Sequence, residues 1–408
     1  MNATGYICMI VDGSYPKDIR VRKEAEALTE SGKKVLVVCP KYASQKKEET
    51  INGVLVYRIG SNYTRIQKGI YDSIESVLNI HLFFYFHLKK IFKKYSIDFL
   101  HVHDLPLAST GYLFKKEVKI SIFLDLHENY PEALKTWFLW RTNPFIKLKN
   151  TIFMNPHLWS KKEKKYCIKY DKIICVVTEM KEKLVSNFAI DPKKMIVISN
   201  HEKKSFANHF KDNTNQECID QKTFSITYVG GFGPHRGLDT AIEGMSKISK
   251  EIPNSKLYLV GKGSADVEKK LREITLQNKV KEYVEFIGYR PFKEVAAIMQ
   301  ASMVNIIPHK ANAHTNNTIP HKLFQIMMSK SLLVVSSCKP LKRIVQKYNA
   351  GVLFEANNSE DFALKIIETY KNYDSLKNKI ENAYDAVMQN ENWETESIKL
   401  VHLYNTSN

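Results

Sequence analysis

The chain lacks closely spaced pairs of cysteines. Its six thiols, Cys8, Cys39, Cys167, Cys175, Cys218 and Cys338, show no CxxC spacing. A zinc ribbon is thereby excluded, and a disulfide frame is not expected. Most of the six lie on apolar, strand-like runs, the usage of reduced and buried cytosolic thiols. Long hydrophobic runs are missing too. No window approaches the ~18 uninterrupted apolar residues of a membrane span, so no crossing segment is expected. No charged-then-apolar leader precedes the apolar run Tyr6–Val11, so no signal peptide is expected either. There is no Gly-Lys-Ser/Thr of a Walker loop and no GxGxxG of a dinucleotide fold. The opposed carboxylate pair of a glycoside hydrolase has no counterpart among the motifs.

Acidic residues are in deficit: 61 Lys and Arg stand against 43 Asp and Glu, a net charge of +18. The excess is uneven, because residues 1–200 hold 33 basic and 20 acidic residues, or +13, which leaves +5 for the remainder. A basic first half suggests an anionic partner such as anionic lipid or a phosphorylated substrate. Nucleic acid is not expected, since no motif for it accompanies the charge. A length of 408 residues with 44% hydrophobic and 11% aromatic content predicts two globular domains.

In chain order, the strand Tyr6–Val11, the turn Asp12–Pro16, a helix from about Asp18 and the strand Val35–Cys39 make a βαβ unit. Gly13 lies in its turn; Arg20, Arg22 and Lys23 read as a solvated helix face. Two strands, Asp98–His103 and Ile122–Leu126, end in His103–Asp104 and in His127–Glu128–Asn129. Ligands sit beyond the carboxyl ends of such strands. Asp104 reads as a helix cap ahead of Pro106, and His127 as either a catalytic group or a hydrogen-bonded loop histidine. Residues 133–170 interleave aromatic groups (Trp137, Trp140, Trp159) with Lys and Arg, a pattern suited to an anionic membrane surface. After a polar stretch, 203–222, read as a linker, strands and helices alternate again from Ser225 to about residue 371. The expected domains are 1–202 and 223–380, with a C-terminal helix in 381–408 packing back on the first.

Two stretches of the second half carry anion-binding chemistry. Gly230–Gly231–Phe232–Gly233–Pro234–His235–Arg236–Gly237 joins a strand to a helix, where glycines admit close backbone approach and Arg236 can clamp a phosphate. Asn316–Ser329 reads as a loop breaking into a helix over 320–329, with Pro320 in its first turn and unpaired N–H groups facing an anion.

Together these motifs resemble the GT-B fold: two Rossmann-like doubly wound α/β domains facing a central cleft. More closely, the chain resembles retaining glycosyltransferases of family 4. The likeness rests on Pro16–Val21 with Glu24–Ala25, Asp125–Glu128, Ile198–Asn200, Tyr228–Gly231, Leu259–Gly263, Phe286–Gly288, the Ile319–Gln325 stretch and Asn392–Glu394. The resemblance implies that Arg236 holds the diphosphate of a nucleotide sugar. It places Asn317 at the donor sugar, Gln325 at the ribose, and the backbone of Thr318 and Ile319 at phosphate. Gly261 and Gly288 fall at the nucleobase, and Gly13 and His127 around the acceptor and reacting centre. Three departures stand out. Gly231 occupies the place of a family arginine, leaving charge neutralisation to Arg236, His235 and Lys322, and the family's paired glutamates are Asn317 and Gln325. The expected catalytic residues are His127, Arg236 and Asn317, with no metal and no cofactor besides the nucleotide-sugar substrate.

The implied reaction moves a sugar from a nucleoside-diphosphate donor to a glycan or lipid-linked acceptor with retention, as in bacterial surface polysaccharide synthesis. The expected location is the cytoplasm, peripheral to the inner face of the membrane. The rival readings are another GT-B enzyme, such as a sugar-nucleotide epimerase or a phosphorylase, and a basic non-catalytic scaffold binding membrane or nucleic acid. The first two lack their acidic or pyridoxal-bearing groups here, and a scaffold would release no nucleotide on meeting an acceptor.

Overall fold

Continuous runs of Val, Ile, Leu and Cys, buried on both faces, set the strands of two parallel sheets. The computed structural model describes residues 5–210, 219, 220 and 222–407. The first sheet contains β1 (Tyr6–Ile10), β2 (Val35–Pro40), β3 (Glu48–Ile51), β4 (Val54–Ile59), β5 (Ile97–His103), β6 (Ser121–Leu126), β7 (Lys172–Cys175) and β8 (Met195–Val197). Their order is β3-β4-β2-β1-β5-β6-β7-β8. All neighbours are parallel except β3, a half-exposed edge strand antiparallel to β4. Its helices are α1 (Ile19–Glu30), α2 (Arg65–Leu78), α3 (Leu82–Lys94), α4 (Ala108–Val118), α5 (Tyr130–Trp137), α6 (Pro144–Phe153), α7 (Pro156–Lys169) and α8 (Thr178–Phe188).

The second sheet holds β9 (Phe224–Val229), β10 (Ser255–Val260), β11 (Val284–Gly288), β12 (Val304–Ile307), β13 (Leu332–Ser336) and β14 (Val352–Phe354). It is wholly parallel, in the order β11-β10-β9-β12-β13-β14. The helices here are α9 (Leu238–Glu251), α10 (Ala265–Gln277), α11 (Phe292–Ala301), α12 (Lys322–Met328), α13 (Lys339–Tyr348), α14 (Ser359–Lys371) and α15 (Lys377–Gln389), while α16 (Trp393–Asn405) belongs from Glu396 onward to the first unit. Leu238, Ile242 and Met245 of α9 and Phe362 and Ile366 of α14 close one face of this sheet.

In each sheet the strand order reverses once, between β1 and β5 and between β9 and β12. Such a switch point opens a crevice at the carboxyl ends of the strands. The loops leading out of these four strands, with the end of β6 and the start of α12, carry the polar groups described below.

The units differ from the expected borders. The first takes the chain up to Leu134, then Pro144–Ser199, and the end from Glu396; the second takes Lys135–Asn143 and Asn200–Thr395. The nine-residue arm 135–143 joins the second unit because Trp140 packs on its core and Thr142 Oγ1 donates to Asp266 Oδ1 at 2.7 Å. The C-terminal piece of the first unit starts at 396 rather than 381, α15 staying with the second. Of the expected linker 203–222, residues 211–218 and 221 lie outside the described residues. Lys204–Phe210 is a 3-10 helix with Phe206 and Phe210 buried. Among the described residues, no helix is long and apolar enough to cross a membrane.

Candidate functional site

In the first unit, β5 and β6 deliver a buried polar cluster to the switch point. Arg20 on α1 is at its centre. Its Nε and Nη2 donate to the two oxygens of Asp125 at 2.8 and 2.7 Å, and Nη1 donates to the Ile198 carbonyl at 3.0 Å. Nη2 also lies 3.0 Å from Glu24 Oε1. The reading of Arg20 and Lys23 as a solvated face is therefore corrected: both are buried. A bidentate carboxylate makes that burial tolerable for the guanidinium. Glu24, His101, His103 and Asp125 present ligand-type atoms within 4.8 Å of one another. The Arg20 guanidinium is the cation that Asp125 binds, while Glu24 lies beside it with neither carboxyl oxygen hydrogen-bonded.

His127 sits at the outer end of this cluster, only 15% exposed. Its Nε2 is 3.2 Å from Asp125 Oδ2 and 3.0 Å from His103 Nδ1, and its Nδ1 is 3.2 Å from Asp104 Oδ2. Burial opposes a charged ring, but Asp104 and Asp125 outweigh it and push the imidazole up to about 10. His127 is thus an imidazolium whose two N–H groups face carboxylates, a donor and positive charge rather than a free base. Burial drives His103 and His101 the other way, below the usual range. Asp104 stands at the N-cap of the 3-10 turn Leu105–Leu107, as the sequence suggested, but its side chain makes no cap bond. Its backbone stands at φ 68°, in the left-handed region, and its Oδ1 accepts from the His127 N–H at 3.2 Å. A non-glycine residue held there costs on the order of 1–3 kcal/mol, and such strain clusters at functional sites. Gly13 has no conformational need to be glycine, since an added Cβ would make only ordinary contacts.

In the second unit, the loops after β9 and β12 interlock. Gly237, at φ 66°, lets them pass, for a Cβ there would lie 1.7 Å from the Pro308 carbonyl oxygen. The Lys310 N–H then donates to the His235 carbonyl at 3.1 Å. This juxtaposition gathers Arg236, His235, His309 and His314. Arg236 Nη1 donates to His309 Nε2 at 3.1 Å, and the His235 ring meets the His314 ring edge-on at 5.2 Å. From α12, Lys322 Nζ donates to the Val229 carbonyl at 2.9 Å and lies 3.6 Å over the Tyr228 ring. Burial and then Arg236 hold the Lys322 ammonium well below its usual range. Burial, Arg236, His314 and Lys322 together press His235 down to about 2. Among the described residues no carboxylate pairs with Arg236 or Lys322. The cluster is a positively charged pocket of donors without a countercharge, which suits an anion.

The structure thus gathers Arg236, His235 and Lys322, with Gly230 and Gly231 on the same loop. Gly261, at φ 141°, approaches so closely that a Cβ would lie 2.0 Å from the Gly230 oxygen. The N–H of Gly261 donates to the carbonyl of Gly288, itself at φ 81°. Asn317 Nδ2 donates to its own loop, at Ala313 O, 2.7 Å away. Thr318 is extended and half-buried, and Ile319 is buried. Gln325 is buried too, and its Nε2 donates to Glu202 Oε2 at 2.8 Å. The helix expected over 320–329 is corrected to 322–328. Pro320 precedes it, in a turn closed by Leu323 N–H on the Pro320 carbonyl at 3.0 Å. Sequence reasoning missed His309, His314, Glu202 and the pairing of Asp104 with His127. His309 follows β12 directly, so the strand-end rule applied to His103 and His127 would have found it.

Two parallel, doubly wound α/β units with these loops define a GT-B protein. Comparison with known sequences gives the family: residues 19–201 match the profile of Glycosyltransferase Family 4, and residues 209–386 that of Glycosyl transferases group 1. The chain belongs to the GT-B glycosyltransferases of the family 4 type. It is 26% identical to an uncharacterized glycosyltransferase of Methanocaldococcus jannaschii, over 72% of this chain and 71% of the relative. Among solved structures, sucrose-phosphate synthase from Thermosynechococcus elongatus shares the fold with TM-score 0.76 at 16% identity, covering 98% of each chain. Anabaena HepE, solved in complex with UDP-glucose, gives 0.73 at 12% identity over 98% of this chain and 100% of its own.

Proposed function

We propose that the protein is a retaining, metal-independent glycosyltransferase. It moves a sugar from a nucleoside-diphosphate donor to a glycan or lipid-linked acceptor in surface polysaccharide synthesis, at the inner face of the membrane. The observation that carries the donor class is the pair Arg236 and Lys322, two basic groups that meet no carboxylate among the described residues, beside backbone made accessible by glycine. A diphosphate supplies the missing charge, and HepE was solved with a nucleotide sugar. Arg236 and Lys322 stabilise the charge that develops on the departing diphosphate, the task otherwise given to a metal ion. In the reaction the bond from the anomeric carbon to the diphosphate oxygen breaks. The acceptor oxygen bonds to that carbon on the same face, and its proton passes to the departing phosphate. His127 is assigned to the reacting sugar as a charged donor, Asn317 to the sugar hydroxyls and Gln325 to the ribose. Thr318 and Ile319 offer backbone to phosphate, Gly231 and His235 line it, and Gly261 and Gly288 flank the base.

A thermal-shift screen of nucleoside diphosphates and their sugars tests the donor class, because a ligand at 100 times its dissociation constant adds about 2.7 kcal/mol. Binding of the free nucleoside as tight as that of its diphosphate would sink the reading. Release of nucleotide on adding acceptor, with the anomeric configuration of the product read by NMR, tests transfer and retention together.

A further inference from the structure

The tryptophans that drew attention to residues 133–170 do not form an exposed face. Trp159 is buried, and Trp140 packs on the core of the second unit. What is exposed is different. On α6, Phe145, Leu148 and Ile152 lie at i, i+3 and i+7, one stripe of a helix, and Phe145 is 81% and Leu148 61% exposed. On α2, Ile66, Ile70 and Val77 make a second exposed stripe, Ile66 at 76%. Between the two helices runs an open, mainly apolar groove of about 680 Å³, with Lys149 on its wall and Phe153 at one end. Soluble surfaces seldom leave so many large apolar groups side by side without a use.

The charge around the groove says what covers it. From Pro144 to Lys169 the chain has seven lysines and one acid, Glu163. Glu163 is buried and bonded to Lys183 at 2.7 Å. Lys162 turns inward to Glu75 at 3.1 Å. The solvent side of α6 and α7 is left with Lys147, Lys161, Lys164, Lys165 and Lys169 exposed and no acid to balance them. On α6 the exposed apolar side chains are interleaved with Lys147 and Lys149 and no acid, and Asp72 of α2 lies 3.7 Å from Lys68, a composition suited to an anionic lipid interface.

We propose that the α2–α6 face seats this protein on an anionic bilayer, with Phe145 and Leu148 entering the acyl region and the groove taking lipid chain. The site is distinct from the polar cluster around His127 and from the Arg236 pocket. It deepens the lipid-linked acceptor reading given above, but its test uses no sugar nucleotide, so the two can fail separately.

The full chain is sedimented with vesicles of phosphatidylglycerol mixed into phosphatidylcholine, and with phosphatidylcholine alone. Binding is expected to need the anionic lipid. Phe145→Glu with Leu148→Glu should lower the partition coefficient at least about tenfold, while affinity for nucleoside diphosphate stays unchanged. Lys147→Glu with Lys149→Glu should do the same and flatten the salt dependence. Phe145→Trp should be quenched by lipids brominated along their acyl chains. Equal binding by the Phe145→Glu/Leu148→Glu variant, or a Phe145→Trp signal untouched by brominated lipid, would overturn the proposal. So would a fall from dimer to monomer in that variant with no change in vesicle binding, which would make a second copy the occupant.

Discussion

Gln325 Nε2 and Glu202 Oε2 are 2.8 Å apart, both residues buried. The glutamine therefore spends its amide nitrogen on a neighbouring carboxylate and keeps its oxygen as an acceptor. Gln325→Glu would set two carboxylates at hydrogen-bond distance. The variant should lose about 1–3 kcal/mol of stability at neutral pH. It should recover when Glu202→Gln is added, which restores one donor and one acceptor. Urea midpoints of the four proteins of this cycle measure the coupling, and strictly additive midpoints would contradict it.

The cluster around His127 makes stability depend on pH. The folded-state value of His127 is raised to about 10 against an unfolded value near 6.5. Its contribution is therefore complete below pH ~6.5 and is lost as pH climbs toward 10. Glu24, raised to about 8 mainly by burial, adds a fall of the same sign between pH ~4.5 and 8, because its charged form is the one disfavoured by folding. Urea unfolding should give a higher midpoint at pH 7.5 than at pH 9, a range in which the depressed His101, His103 and His235 are already neutral in both states. Asp104→Asn should weaken the alkaline part of this slope and Glu24→Gln the neutral part. A flat profile in the parent protein would refute both assignments.

Arg236→Ala should cost the nucleoside diphosphate about 1.5–3 kcal/mol, roughly ten- to 150-fold in affinity, the usual worth of a charged hydrogen-bonded partner. The unliganded protein should melt close to the parent, since relief of the repulsion between Arg236 and Lys322 offsets the lost hydrogen bond to the buried His309. Calorimetric titration and a melting curve read the two effects separately. Lower stability with unaltered affinity is the outcome that this reading forbids.

Glycine is required to very different degrees along the loops at the strand ends of the second unit. Gly237→Ala would force a Cβ to 1.7 Å from the Pro308 oxygen at φ 66°, and the loops after β9 and β12 could no longer interlock. Gly288 has φ 81° but nothing within 4 Å of a Cβ, so alanine there should cost only the ~1 kcal/mol of an unfavourable backbone. Gly237→Ala should unfold at least ~10 °C below Gly288→Ala, taking ~2–4 °C per kcal/mol for a domain of this size. Similar melting temperatures would show that the interlocking is soft.

The parallel core was legible because strands such as Val35–Cys39 and Leu332–Ser336 are unbroken apolar runs bounded by turns, a pattern that survives any context. The edge pair β3 and β4 was not, since Glu48–Ile51 alternates weakly and half faces water. Arg236 was legible from its glycine loop, as was His127 from its place after a strand. What surrounds them was not. Arg20 looks like any helix-surface cation until Asp125, 105 residues away, arrives from β6. Asp104 precedes Pro106 as a cap would, and only its left-handed backbone turns the carboxylate toward His127 instead. Trp137 and Trp140 read as neighbours of Trp159 in sequence, yet nine residues of that stretch belong to the other unit.

The last dozen residues have a practical consequence. Tyr404 is fully buried, with its hydroxyl 2.7 Å from His101 Nδ1, beneath the stacked pair His101 and His103. The first unit is thus finished only once residues 396–407, which follow the whole second unit in the chain, have been made. A chain cut at Ser199 would lack this plug and leave a buried histidine without its partner, so the two halves should be recovered intact only from one uninterrupted polypeptide.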